Sequence, residues 1–308
     1  MKAITLDQYG GPENLTPADL PDPKVAPGEV LVRVKAAGVN PVDWKLAEGR
    51  LDGLMETHFP LIPGWDVSGV VVRVGLDAGE FFVGDEVFGY IRKDEVQHGA
   101  YAELVSAHVR MLARKPAALD WAQAAGVPLA GLTAYQALKR VGVRSGDTVL
   151  IHAAAGGVGS LGTQIAVALG ARVIGTASAR NHDFLRELGA EPVEYGDGLA
   201  ERVARLAPDG VDAALDFGGD DAVTVSQRLL KDPARVASIV APDVTDRGGH
   251  YVWVRPDSSD LAALADLADE GRLTVPIDRT LPLARAAQAW ERSKTSRVRG
   301  KLVLTVDE

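Results

Sequence analysis

Between Thr148 and Gly271, short apolar runs alternate with segments whose apolar residues recur every three or four positions. That alternation predicts strands interleaved with helices. The expected strands are Thr148–Ile151, Arg172–Thr176, Pro192–Tyr195, Val211–Phe217, Arg235–Val240 and His250–Val254. The expected helices are Val158–Leu169, His182–Leu188, Leu199–Leu206, Ala222–Leu230 and Ser259–Asp269. Strands separated by helices form a parallel, doubly wound sheet, and six strands suffice for a full dinucleotide-binding fold.

The pattern before Pro116 is different. Glu29–Ala36 alternates apolar and polar residues with period two, and further β-rich runs follow at Val67–Val74, Glu86–Tyr90, Ala100–Val105 and Arg110–Leu112. Gly and Pro turns separate them, which predicts a compact, barrel-like β domain. Helices are expected at Asp120–Ala125 and Thr133–Arg140. The tail carries a helix at Leu283–Arg292 and a strand at Lys301–Val306, and is expected to rejoin the first domain. The expected division is therefore 1–118 together with 273–308, and 119–272 between them.

Composition narrows the class. The chain has 308 residues, a net charge of −9 and no cysteine. An acidic chain is a poor ligand for a phosphate backbone or an anionic membrane surface. No apolar run is long enough to span a bilayer and the first residues lack a signal peptide's apolar core, so a cytoplasmic location is expected. Without cysteine there is no thiolate nucleophile and no cysteine-based zinc site. The six histidines show no paired ligand spacing and read as surface or packed residues.

The candidate chemistry begins at Thr148–Val167, TVLIHAAAGGVGSLGTQIAV. A strand runs into a glycine-rich turn and then into a helix. Gly156, Gly157 and Gly159 permit a tight turn and close approach of a pyrophosphate, which the helix N-terminus attracts. About 20 residues further on, such folds choose between NAD and NADP. Here the second strand ends in Thr176-Ala177-Ser178-Ala179-Arg180, with no acid before Asp183. A hydroxyl and a guanidinium suit a 2′-phosphate. The expected cofactor is NADP(H). Arg180 could instead be a solvated helix-start residue.

The segments GVNPVDWKLAEG (Gly38–Gly49), FPLIPGWDVSGVV (Phe59–Val71), GDEVFGY (Gly84–Tyr90), HGAYAELV (His98–Val105), GLTAYQAL (Gly131–Leu138), AAAGGVGSLGTQIA (Ala153–Ala166) and VRGKLVL (Val298–Leu304) carry a resemblance. The chain resembles the zinc-independent quinone oxidoreductase group of the medium-chain dehydrogenases/reductases. The resemblance implies a GroES-like catalytic domain beside a Rossmann domain, and a homodimer. It implies hydride transfer from NADPH to a quinone or an α,β-unsaturated carbonyl compound. Enoyl-thioester reduction and a non-catalytic NADPH-binding role are the alternatives.

The resemblance also implies site residues. Asn40 and Lys45 fall near the nicotinamide and substrate carbonyl, although many relatives carry Tyr where Lys45 stands, and Asp43 orients this segment. Thr133 falls near the nicotinamide, Ala154, Gly156, Gly157 and Val158 at the pyrophosphate, and Thr176, Ser178 and Arg180 at the ribose phosphate. Tyr195 falls near the adenine, and Ile239 and Val240 on the nicotinamide side. The bland readings are a turn at Asn40-Pro41, a helix cap at Asp43, a solvated Lys45 and a packed Tyr195. Where the zinc-dependent branch has Gly-His-Glu, this chain has Gly64-Trp65-Asp66, so a zinc enzyme of that branch is not expected.

Overall fold

The computed structural model describes residues 1–219 and 221–306. It divides into two compact units. One comprises Met1–Leu129, Arg255–Gly271 and Val275–Glu308; the other comprises Ala130–Val254 and Arg272–Thr274.

The second unit holds a six-stranded parallel sheet. Taking its strands in chain order from Thr148–His152, they lie third, second, first, fourth, fifth, sixth across the sheet. The order reverses beside Thr148–His152, and in such sheets ligands bind outside the strand ends at that reversal. Three of these strands are shorter than the apolar runs suggested. The fourth is Ala213–Asp216, the fifth Val236–Ser238 and the sixth His250–Tyr251, while the third, Ala190–Val193, keeps the expected length and lies two residues earlier. The surplus apolar residues leave the sheet as loops, and Tyr195 lies in one of them. The helix Gly157–Ala168 is buried along most of its length. Its small residues let neighbours approach: a Cβ at Gly162 would lie 3.1 Å from the Phe217 ring and 3.3 Å from Ala134 Cβ.

The first unit is built on a seven-stranded sheet whose long strand Glu29–Val39 pairs with Asp66–Val74, Leu104–His108 and the C-terminal strand Lys301–Thr305. The tail thus returns to the N-terminal segment. Two further segments belong here that the expected division placed in the other domain. The helix Trp121–Gly126 packs on Glu29–Val39, with Ala36, Ala125 and Val303 forming a buried cluster. The Trp121 carbonyl accepts from Ser68 Oγ at 2.7 Å. The helix Ser258–Asp269 lies against Leu112–Arg114, and Asp269 Oδ1 accepts from the Ala118 N–H at 2.8 Å. Periodicity shows that a helix has an apolar face, and these contacts show what that face covers.

Local pairing also moved elements. The run Ala100–Val105 is not a strand throughout, because Ala100 and Tyr101 donate to the Gly64 and Pro63 carbonyls instead. The strand is Leu104–His108. Arg110 lies in a single 3-10 turn, Val109–Met111, and strand pairing resumes at Leu112–Arg114. No described helix is long and apolar enough to cross a membrane.

Candidate cofactor and active sites

The glycine-rich turn is shaped by the second strand. The Ala153 N–H donates to Thr176 Oγ1 at 3.1 Å and the Ala154 N–H to the Thr176 carbonyl at 3.0 Å. Thr176 is itself buried and acts by fixing the turn. Ala153 adopts φ +53°, a left-handed conformation that costs a non-glycine residue about 1–2 kcal/mol. The helix then starts at Gly157 with Gly156 as its cap, and no side chain caps it. The first N–H groups of a helix have no intrahelical acceptor, so those of Gly157 and Val158 stay open to an anion. Gly156, Gly157 and Val158 are partly exposed, whereas Ala154 is buried. A Cβ at Gly159 would lie 2.2 Å from the Ala153 carbonyl oxygen, so the close packing of this turn requires glycine. These features fit a dinucleotide pyrophosphate.

Ser178 follows the second strand half-buried and precedes the 3-10 turn Ala179–Asn181. Arg180 is exposed and makes no ion pair among the described residues, while the nearest acid, Asp183, is engaged by Arg186 at 2.6 Å. Tyr195 is 61% exposed. Its loop is gathered by one guanidinium, since Arg202 donates to the carbonyls of Glu194, Tyr195, Gly196 and Asp197.

The fourth and fifth strands end in a knot that sequence reading missed. Asp216 Oδ1 accepts the Gly218 and Gly219 N–H groups at 3.0 and 2.8 Å, and Oδ2 accepts from Ser238 Oγ at 2.7 Å. Ser238 Oγ in turn accepts the Val240 and Ala241 N–H groups. Ile239 and Val240 are held by this knot, half-buried and exposed respectively. Gly218 approaches Ala153 closely enough that its Cβ would lie 3.0 Å from Ala153 Cβ. The glycine-rich turn and the fourth-strand loop therefore meet. Thr133 is buried on the helix Pro128–Arg140, next to the Ala134 that packs on Gly162.

Asn40 and Lys45 lie in the first unit at the short helix Pro41–Ala47. Asn40 is 2% exposed, and its side chain faces inward. Its Nδ2 donates to Asp66 Oδ2 at 2.9 Å and its Oδ1 accepts from Lys301 Nζ at 2.5 Å. Its backbone N–H donates to Asp43 Oδ2 at 2.8 Å. Lys45 is half-buried, with its ammonium 5.6 Å from the Trp44 ring centroid. Trp65 is buried and packs edge-on against Tyr90. Asp66, Lys301, Tyr101 and Trp290 were not legible as a group, because four distant segments bring them together. His58, half-buried, stands between the exposed Glu56 and Glu95, which immediately precede the strands Thr57–Ile62 and Val96–His98.

A sheet of this strand order, with an uncapped glycine-rich helix start and a separate β-rich unit, defines a two-unit dinucleotide-dependent oxidoreductase. The match to known families agrees. Residues 26–117 match the alcohol dehydrogenase GroES-like domain and residues 188–304 match the domain described as zinc-binding dehydrogenase. The chain is 34% identical to the chloroplastic NADPH-dependent alkenal/one oxidoreductase of Arabidopsis thaliana, over 99% of this chain and 79% of that one. The quinone oxidoreductase of Coxiella burnetii superposes with a TM-score of 0.87 at 36% identity, covering 100% and 99% of the two chains. A mycobacterial protein solved in complex with NADPH gives 0.84 at 30% identity, covering 99% and 100%. The chain belongs to the quinone oxidoreductase group of the medium-chain dehydrogenases/reductases, and it is an NADP(H)-binding oxidoreductase.

Proposed function

We propose that this protein is a zinc-independent, NADPH-dependent reductase of quinones or α,β-unsaturated carbonyl compounds. The end of the second strand carries the cofactor choice: Ser178 and Arg180, which makes no ion pair among the described residues, stand where an NAD enzyme would place a carboxylate. The names of its relatives support the substrate class. NADPH, when bound, supplies the hydride. Gly156, Gly157 and Val158 hold its pyrophosphate, Thr176 keeps their turn in shape, and Thr133, Ile239 and Val240 flank the nicotinamide side. Tyr195 offers its exposed ring to the adenine.

Hydride addition places negative charge on the substrate oxygen, which fixed donors must stabilise. We assign that donor to Lys45. Asn40 serves differently from the sequence expectation, since its amide is engaged by Asp66 and Lys301 and it holds the start of the helix that carries Lys45. Zinc does not fit the donor set. The chain has no cysteine, and Asp66, which stands where the zinc branch has Glu, is already bonded by Leu129 N–H, Asn40 Nδ2 and the Lys301 ammonium. A dication there would sit against Lys301. A homodimer and a cytoplasmic location complete the proposal, the former readable by sedimentation.

The test follows NADPH consumption against quinones, short enones, alkenals and crotonyl thioesters, with and without a strong chelator. Turnover of quinones or enones, indifferent to chelator, is expected. Lys45→Ala should lower kcat by about 10²-fold, the scale of one lost oxyanion donor; a change within about threefold would refute that role. Turnover of the thioester alone would make this an enoyl-thioester reductase. Tight NADPH binding without turnover would make it a sensor.

A further inference from the structure

The helix Pro41–Ala47 is moored in a closed polar cluster. Asp43, Asp66, Tyr101, Trp290 and Lys301 are each at most 3% exposed. Asp43 Oδ2 accepts from the Asn40 N–H at 2.8 Å and from the Tyr101 hydroxyl at 3.0 Å, and Trp290 Nε1 donates to the Tyr101 oxygen at 3.2 Å. Asp43 Oδ1 is buried and has no hydrogen-bond partner among the described residues.

Two buried carboxyl groups lie within the field of one cation here. Asp66 reaches Asp43 electrostatically from the strand Asp66–Val74, and Lys301 from the strand Lys301–Thr305. Tyr101 touches it directly. Tyr90, on the strand Glu86–Tyr90, and Arg92 just beyond it act on the same cluster. Asp66 is the better-supported anion. The Leu129 N–H donates to one of its oxygens at 2.7 Å, while Asn40 Nδ2 at 2.9 Å and Lys301 Nζ at 3.6 Å reach the other. Lys301 neutralises that one charge. A second anion would leave the cluster negative and dry, and would leave one charged oxygen without a donor, both strongly unfavourable.

We propose that Asp43 is a positioning residue for Lys45: as the neutral acid it keeps the buried cluster uncharged and anchors the helix, and its ionisation loosens that anchor and lowers turnover. This rests on the assignment of Lys45 above. Burial, with Asp66 adding to it, pushes the Asp43 carboxyl up to about 7, so the event falls within a working pH range.

The experiment compares kcat across pH for the wild type, Asp43→Asn and Tyr101→Phe. Wild-type kcat should fall toward tenfold per pH unit above about pH 7, as it does when one protonated group is required. Asp43→Asn should remove that alkaline limb. Tyr101→Phe removes a donor that favours the Asp43 anion and should move the limb to higher pH. A merely structural role would lower kcat evenly at every pH. A flat wild-type profile, or the same limb in Asp43→Asn, overturns the proposal. Infrared spectroscopy of the wild type with carbon-13-labelled aspartate reads the acid without turnover. It should show an un-ionised carboxyl band that is lost as pH rises past about 7. Absence of that band refutes the neutral acid, and a titrating band with no limb in kcat refutes the positioning role. A limb that vanishes in Asp43→Asn while Lys45→Ala keeps full kcat overturns the positioning of Lys45 together with the role given to that lysine, whereas a lowered kcat in Lys45→Ala with the same limb in Asp43→Asn overturns the proposal for Asp43 alone.

Discussion

Arg180 and Asn40 show the two ways a residue's role is set. Arg180 is exposed, unpaired among the described residues, and four positions beyond Thr176. Its part could be argued from sequence because strand end and helix start are contiguous in the chain. A charge-assisted bond contributes about 1.5–3 kcal/mol. Arg180→Ala is therefore expected to weaken NADPH binding by about 10- to 100-fold and to leave NADH binding unchanged. Fluorescence titration with both nucleotides checks this, and equal losses for both would refute a contact with the 2′-phosphate. Sequence reading gives Asn40 as a residue near the nicotinamide or as part of a turn with Pro41 and places the helix cap at Asp43, whereas the cap of Pro41–Ala47 is Asn40. Its inward orientation was not legible, because Asp66 and Lys301 reach it from 26 and 261 positions away.

At the level of elements, the strand–turn–helix from Thr148 to Ala168 is the part the sequence specified most completely. Its strand, its glycines and its apolar helix are local features, and the observed bounds differ by a residue at most ends. The close approach of Gly159 to the Ala153 carbonyl is the physical reason for glycine there. Gly159→Ala should force the turn open, destabilising the protein by about 1–3 kcal/mol. Urea unfolding would read that loss, and NADPH affinity should fall with it. Unchanged stability would mean that the turn can yield. Strands such as Val236–Ser238 proved shorter than their apolar runs. Hydrogen-bond partners end a strand, and periodicity does not see partners.

For the whole molecule, the buried titratable groups set how stability depends on pH. Burial pushes His152 down to about 4, against the pull of Asp216, and its Nε2 pairs with Ser226 Oγ at 2.8 Å. A depressed folded-state value means that the unfolded chain takes the proton first. The stabilisation from a neutral His152 is complete above about pH 6.5 and is lost as pH falls toward about 4, a loss on the order of 3 kcal/mol. Asp43 acts with the opposite sign: its stabilisation is complete below about pH 4 and is lost as pH rises through about 7. Urea denaturation across this range should show His152→Asn with a shallower acid loss than the wild type. Parallel curves would refute the assignment. The sequence by itself determined the alternating sheet, the glycine-rich turn, the hydroxyl and guanidinium at the second strand's end, and the lack of cysteine. These are local or compositional properties, set by backbone geometry, side-chain period and ligand chemistry. Only the tertiary structure decided that Trp121–Gly126 and Ser258–Asp269 pack with the β-rich unit, that Asp216 and Ser238 tie two loops, and that Asp66 pairs with a buried Lys301. Each of these depends on segments far apart in the chain meeting where water is excluded, and burial gives those contacts their energy.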